Sequence, residues 1–202
     1  MEIITDRLGK RYQHGWVFRN LTFQFKSDLI YGVSGRNGSG KSTFLKIISG
    51  LLSPTEGRIE YKSGSILIKR EEVYRYLNVA APYTELLEEY TLYEMIDFHR
   101  GFKPSDEFGD TKTWIEMMQL EAAAHRPISQ FSSGMKQRVK LGLALYSKAK
   151  IIFLDEPTSN LDENAKSWFF QHLDRQRKNK LVFIASNEES DFQFCVERIV
   201  LG

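Results

Sequence analysis

The chain has 202 residues, 42% hydrophobic and 27% charged, enough for one globular domain with room for an inserted subdomain. Its net charge of +2, from 28 basic and 26 acidic residues, gives no bulk-charge case for binding nucleic acid or an anionic membrane. One cysteine, Cys195, excludes an internal disulfide framework and fits a reducing cytosol, where its expected role is a small buried apolar residue.

Glu2 to Phe25 holds three strand-like runs: Glu2-Ile3-Ile4-Thr5, Trp16-Val17-Phe18 and Leu21-Thr22-Phe23-Gln24-Phe25. The opening residues lack the basic and apolar regions of a secretion signal. No charge-free apolar run anywhere reaches the ~18–20 residues that span a bilayer. Any membrane role is therefore expected through a partner. Tyr12 follows Lys10-Arg11 before a polar turn. Leu29-Ile30-Tyr31-Gly32-Val33 then reads as a buried strand, and Thr43 to Ile48 has helical spacing. Between them, Gly35-Arg36-Asn37-Gly38-Ser39-Gly40-Lys41-Ser42 fits G-x-x-x-x-G-K-[ST] at every fixed position. Gly35, Gly38 and Gly40 let backbone N–H groups turn inward around an anion, and the helix N-terminus adds its partial positive charge. Lys41 is placed to reach the outer phosphates and the Ser42 hydroxyl to hold Mg²⁺. A chance match arises at about a 1% level in a chain this long, and the strand–loop–helix context lowers it further. Gly35 to Ser42, with Thr43, is read as a nucleotide site.

Ser49-Gly50 closes that helix, with Gly50 as C-cap and Pro54 shortly beyond. Short strands are expected at Gly57 to Tyr61, Ser65 to Ile68, and Leu77 to Ala81, the last stopped by Pro82. From Pro82 to about Pro127 the texture is helical: Leu92, Met95 and Ile96 share one face, as do Trp114, Ile115 and Met118. Five aromatics crowd its first half (Tyr83, Tyr90, Tyr93, Phe98, Phe102); most are expected in the core, with a partner groove as the alternative. Met135, Val139, Gly142, Leu143 and Tyr146 mark a long helix. Ile151 to Leu154 is an apolar run of the kind buried in parallel sheets, and it ends in Asp155-Glu156. Ligands of open parallel sheets sit beyond the carboxyl ends of the strands. Asp155 is thus placed to hold Mg²⁺ through water, and Glu156 to polarise an attacking water. A helix over Glu163 to Arg177, a strand at Leu181 to Ala185 and a last strand at Arg198 to Leu201 complete the chain.

Further motifs resemble the nucleotide-binding domain of an ATP-binding-cassette (ABC) protein. Phe131-Ser132-Ser133-Gly134-Met135-Lys136-Gln137-Arg138 resembles the family's signature, usually written L-S-G-G-Q, and opens a helix as the family's does. Ser159-Asn160-Leu161-Asp162 resembles its D-loop, and Tyr12 the aromatic that stacks on adenine. The resemblance runs essentially from end to end. It implies an α/β fold: a P-loop NTPase core with a mainly parallel sheet, an N-terminal antiparallel β part and an inserted helical subdomain. It implies one ABC ATPase domain over 1–202, with the core at about 1–81 and 128–202 and the helical subdomain at about 82–127. ATP and Mg²⁺ are the implied cofactors, with Glu156, Lys41 and Asn187 as catalytic residues. Ser132, Ser133, Gly134 and Met135 would contact ATP held by the opposite subunit of a homodimer or pseudo-dimer, near the D-loop Asp162. The other implied partner is a separate integral membrane transporter subunit, which would hold the chain at the cytoplasmic, inner face of the cell membrane; no nucleic acid is implied.

Two departures stand out. The family's Gln after the strand entering the helical subdomain is absent from Val79-Ala80-Ala81-Pro82-Tyr83. The family's His after the last core strand is replaced by Asn187 in Ile184-Ala185-Ser186-Asn187-Glu188. Asn can donate a hydrogen bond to phosphate but cannot carry a proton. The signature's second Gly is Ser133. The expected function is an ATP-binding and ATP-hydrolysing subunit that powers an ABC transporter through ATP-dependent dimerisation, with slowed hydrolysis. The alternative is a non-transport or regulatory ABC ATPase with weak hydrolysis. A small-molecule P-loop kinase fits less well, because it has no use for the signature or Glu156.

Overall fold

A computed structural model describes residues 1–13, 15–104 and 109–202. Two sheets form the frame. One is antiparallel, in the order β2-β1-β4-β5, from β1 (Glu2–Tyr12), β2 (Gly15–Lys26), β4 (Glu56–Ser63) and β5 (Ile66–Ile68). The other is wholly parallel, in the order β6-β7-β8-β3-β9, from β3 (Ile30–Ser34), β6 (Leu77–Ala80), β7 (Ile151–Asp155), β8 (Leu181–Ala185) and β9 (Glu197–Val200).

The inner strands β3, β7 and β8 are almost wholly apolar because both of their faces are covered, while the edge strands β6 and β9 admit Asn78, Glu197 and Arg198. Tyr31, Val33, Phe153 and Phe183 face one core, which they share with α1 (Lys41–Ile48) and with Ile3, Phe25 and Tyr61 of the antiparallel sheet. Ile30, Ile152, Leu154, Val182 and Ile184 face a second core. That core holds α2 (Leu92–Phe102), α3 (Thr111–Met117), α4 (Ser133–Tyr146) and α5 (Glu163–Gln176). A strand's period of two deals alternate residues to the two cores.

The structure differs from the sequence reading in three places. The runs Trp16–Phe18 and Leu21–Phe25 belong to one strand, β2, because Asn20 takes a left-handed backbone (φ 58°) that carries the strand through the polar interruption. β1 likewise continues to Tyr12 through register shifts beyond Thr5, with Arg7 at φ 48°. Secondly, residues 82–91 are turns and extended chain, and helix starts only at Leu92, where Thr91 and Glu94 form a reciprocal capping box. Positions 105–108 of the stretch expected to be helical lie outside the described residues. Thirdly, most of the aromatics expected in the core are exposed: Tyr83, Tyr93, Phe98 and Phe102, the last at 72%. Leu92, Met95 and Ile96 fill the buried face of α2, so Tyr93 and Phe98 fall on its other side. Cys195 is half-buried, and burial pushes its thiol up to about 12.

Candidate functional site

β3 ends at Ser34, and the chain turns through the glycine loop into α1. Gly35 and Gly40 are required on two counts. Both have positive φ (149° and 103°), and a Cβ at either would lie 2.2 Å from a neighbour, the Leu201 carbonyl oxygen or Val17 Cγ1. Gly40 is also the N-cap of α1 and brings no capping side chain, so the N–H groups of the first turn are left for an anion. Lys41 is buried, and its Nζ donates to the Gly35 carbonyl at 2.9 Å. The same ammonium stands 3.6 Å from Glu156 Oε1.

Asp155 ends β7 at 1% exposure, and neither of its carboxylate oxygens has a well-formed hydrogen bond from a described residue. Burial pushes this carboxyl up and Glu156 adds to the shift, while the Ser42 hydroxyl, Lys41 and Lys46 oppose it. An orphaned buried carboxylate beside a serine hydroxyl and two ammonium groups fits a divalent cation with phosphate oxygens in its shell. No group of three or more His, Cys, Asp or Glu stands ready for a metal among the described residues. Such a cation would therefore rely on Ser42, Asp155, water and the ligand itself.

Glu156 has a left-handed backbone, φ 49°, uncommon for a residue with a long side chain. Its N–H donates to Ala185 O at 2.7 Å. From α4, Gln137 Nε2 donates to Pro157 O at 2.8 Å and Glu156 O at 3.4 Å, so the turn is pinned from both sides. Ser186 Oγ donates to Glu156 Oε2 at 3.2 Å. The Asn187 amide also lies against this carboxylate.

Two adjoining cavities open here. One, of about 540 Å³, is lined by Tyr12, Val17, Asn37, Gly38, Gly40, Lys41, Ser42, Thr43 and Glu156. The other, of about 510 Å³, is lined by Asn37, Pro82, Glu156, Thr158, Ser159, Asn160, Leu161, Lys166, Asn187 and Glu188. Volumes of this size admit a nucleotide. Asn37 and Glu156 belong to both walls. Arg36 and Ser39 line neither; the Ser39 oxygen packs under Gly35.

The signature residues stand apart. Ser132 is the N-cap of α4 and accepts from Met135 N–H at 3.2 Å, and Gly134 sits where a Cβ would come within 2.9 Å of Asn160 O. Neither cavity is lined by Ser132, Ser133, Gly134 or Met135. Asp162 caps α5, accepting from Ala165 N–H at 2.8 Å. Sequence reasoning gave no site role to Ser186, or to Gln137 within the signature-like run; their bonds to Glu156 and the turn after it appear only in the fold. It also missed the Tyr83 ring, which lies 3.9 Å from Lys46 Nζ.

A family model described as "ABC transporter" matches residues 18–159. The chain is 32% identical to the uncharacterized ABC transporter ATP-binding protein YybJ of Bacillus subtilis, over 91% of this chain and 84% of that one. It is also 32% identical to the sulfate/thiosulfate import ATP-binding protein CysA of Mesostigma viride, covering all of this chain but only 60% of the relative. It spans 22% of ABC transporter A family member 7 of Dictyostelium discoideum. Among solved structures, the dimeric structure of MJ0796, a bacterial ABC transporter cassette, superposes with a TM-score of 0.83 at 25% identity, over 98% of this chain and 94% of that one.

Proposed function

The chain belongs to the ABC transporter family of ATPases, and on that premise we propose that it is the ATP-binding subunit of a transporter, driven by ATP-dependent pairing and coupled to a separate membrane subunit. The observation that carries this reading is the meeting of Lys41, Ser42 and Glu156 on one cavity wall, with the orphaned carboxylate of Asp155 beside Ser42.

In this mechanism the nucleotide phosphates enter the glycine loop and meet the N–H groups that start α1. Lys41 exchanges the Gly35 carbonyl for the outer phosphates, a charge-assisted contact in a buried setting. Ser42 and Asp155 would hold Mg²⁺, which when bound would supply positive charge beside the phosphates. Tyr12, half-exposed at the cavity edge, stacks on the base. Glu156 orients the attacking water. Hydrolysis is slower than in a cassette that carries both Gln and His, because one preorganised polar contact is worth about 3 kcal/mol, roughly a hundredfold in rate.

No described helix is long and apolar enough to cross a membrane; in this reading the membrane path belongs to a separate subunit. We assign its docking to the aromatic stretch Tyr83 to Phe102, where Phe98 and Phe102 form an exposed edge-to-face pair with centroids 5.0 Å apart. In this reading the chain works in the cytoplasm, on the inner face of the membrane. The second reading, a regulatory cassette with weak hydrolysis, draws on the missing Gln and His. Calorimetry on Lys41→Ala tests the site: ATP affinity should fall at least tenfold, and equal affinities would sink the assignment. Glu156→Gln should abolish single-turnover hydrolysis while ATP still binds.

A further inference from the structure

Glu156 holds a backbone that its sequence disfavours twice. A φ of 49° is uncommon for a residue with a Cβ, and the ring of Pro157 pushes the residue before it toward extended conformations. Strain of this kind persists only where the surroundings over-determine it. On the N-terminal side, the Glu156 N–H donates to Ala185 O at 2.7 Å, just beyond the pairing of β7 with β8. On the C-terminal side, Pro157 has no N–H to offer, which leaves its carbonyl as the group to be gripped.

That carbonyl is held from α4. Gln137 is buried at 8% exposure, and its Nε2 donates to Pro157 O at 2.8 Å. Glu156 O lies farther from the same nitrogen, at 3.4 Å, and also accepts from Ser159 N–H at 3.2 Å. Both oxygens facing this end of the amide are carbonyls, so hydrogen-bonding chemistry turns the nitrogen toward them. α4 lies close against the rest of the loop as well. A Cβ on Gly134, three residues before Gln137, would meet Asn160 O at 2.9 Å. The helix thus rests on the loop at two levels, and Gln137 reaches the turn from a fixed place.

We infer that Gln137 is a positioning residue: by gripping the Pro157 carbonyl it keeps Glu156 in its left-handed turn, and so sets where the carboxylate stands at the nucleotide cavity. Gln137 itself lines neither cavity. It acts through the main chain, from a helix, and makes no contact with nucleotide or water. The inference rests on the reading of Glu156 as the base.

Single-turnover hydrolysis at saturating ATP, together with ATP affinity, should be measured for wild type, Gln137→Met, Gln137→Ala and Glu156→Gln. Met fills nearly the space of Gln but has no N–H, so it separates the hydrogen bond from packing. Gln137→Met should slow hydrolysis about 10–100-fold, the scale of a misaimed catalytic group, with ATP affinity within about twofold of wild type. Gln137→Ala opens a space as well and should be at least as slow. A smaller loss in Gln137→Met would mean that the side chain only fills space, and would overturn the inference. So would a tenfold loss of ATP affinity in Gln137→Met, because a residue that only aims the base acts on the chemical step. If Glu156→Gln hydrolyses at the wild-type rate, the base assignment itself fails and the inference falls with it. An inactive Glu156→Gln beside a wild-type rate in Gln137→Met would sink the inference alone.

Discussion

Asp155 and Glu156 are neighbours in sequence with opposite surroundings. Asp155 is sealed in without a well-formed hydrogen bond, while the Glu156 carboxylate is partly open and bonded by Ser186. Burial raises the Asp155 carboxyl above its unfolded value, and the sign of the consequence follows. An ionised Asp155 opposes folding at neutral pH. The cost fades as pH falls through its folded value toward the ordinary carboxylate range. Asp155→Asn removes that charge, so its Tm in EDTA near pH 7 should exceed that of wild type by a few degrees, on the scale of ~2–4 °C per kcal/mol for a chain this long. The same variant should lose the extra thermal stabilisation that Mg²⁺ adds to ATP. A Tm below wild type in EDTA would refute the buried-charge account. Lys41 and Ser42 are legible from spacing alone, because a phosphate cradle needs those residue types at those steps. The bonds from Ser186 and Gln137 to the Glu156 turn are not legible, since nothing in a sequence says which strand end or helix will face it.

At the scale of elements, the apolar runs of β3, β7 and β8 and the faces of α2 and α3 can be read from periodicity, because burial dictates it. The bulged hairpin of β1 and β2 cannot, since Arg7 and Asn20 break alternation by turning left-handed. Helix ends carry more than one role. Ser132 caps α4, and its exposed position also suits it to the proposed contact with a partner's ATP. Two substitutions separate these roles. Ser132→Ala loses the cap and should cost about 1 kcal/mol of stability by denaturant titration. Ser132→Asp keeps a good cap, so its stability should match wild type, yet its carboxylate would face the partner's phosphates and block ATP-driven pairing. If Ser132→Asp pairs as well as wild type does, Ser132 is a cap and nothing more.

Across the whole molecule, the parallel sheet gathers the chemistry at one edge. The glycine loop follows β3, the acidic pair ends β7, Ser186 and Asn187 follow β8, and Pro82 and Tyr83 follow β6. The order β6-β7-β8-β3-β9 sets the first of these strands between the last two, a pairing at long sequence separation that local patterns do not encode. The signature lies off both cavities, so we read the site as completed by a second copy related by a two-fold axis, each copy offering Ser132 to the other's ATP. Blocking hydrolysis should trap that state. By light scattering, Glu156→Gln should be monomeric without nucleotide and double in mass with Mg-ATP, and adding Ser132→Asp should return it to monomer. The aromatic face of α2 is a separate surface. Phe98→Ser with Phe102→Ser in the Glu156→Gln chain should therefore pair normally with ATP while losing recovery with membranes from the native host. No ATP-dependent rise in mass would sink the two-fold site. Membrane recovery undiminished by the double serine change would remove α2 as the docking face and leave the pairing argument standing.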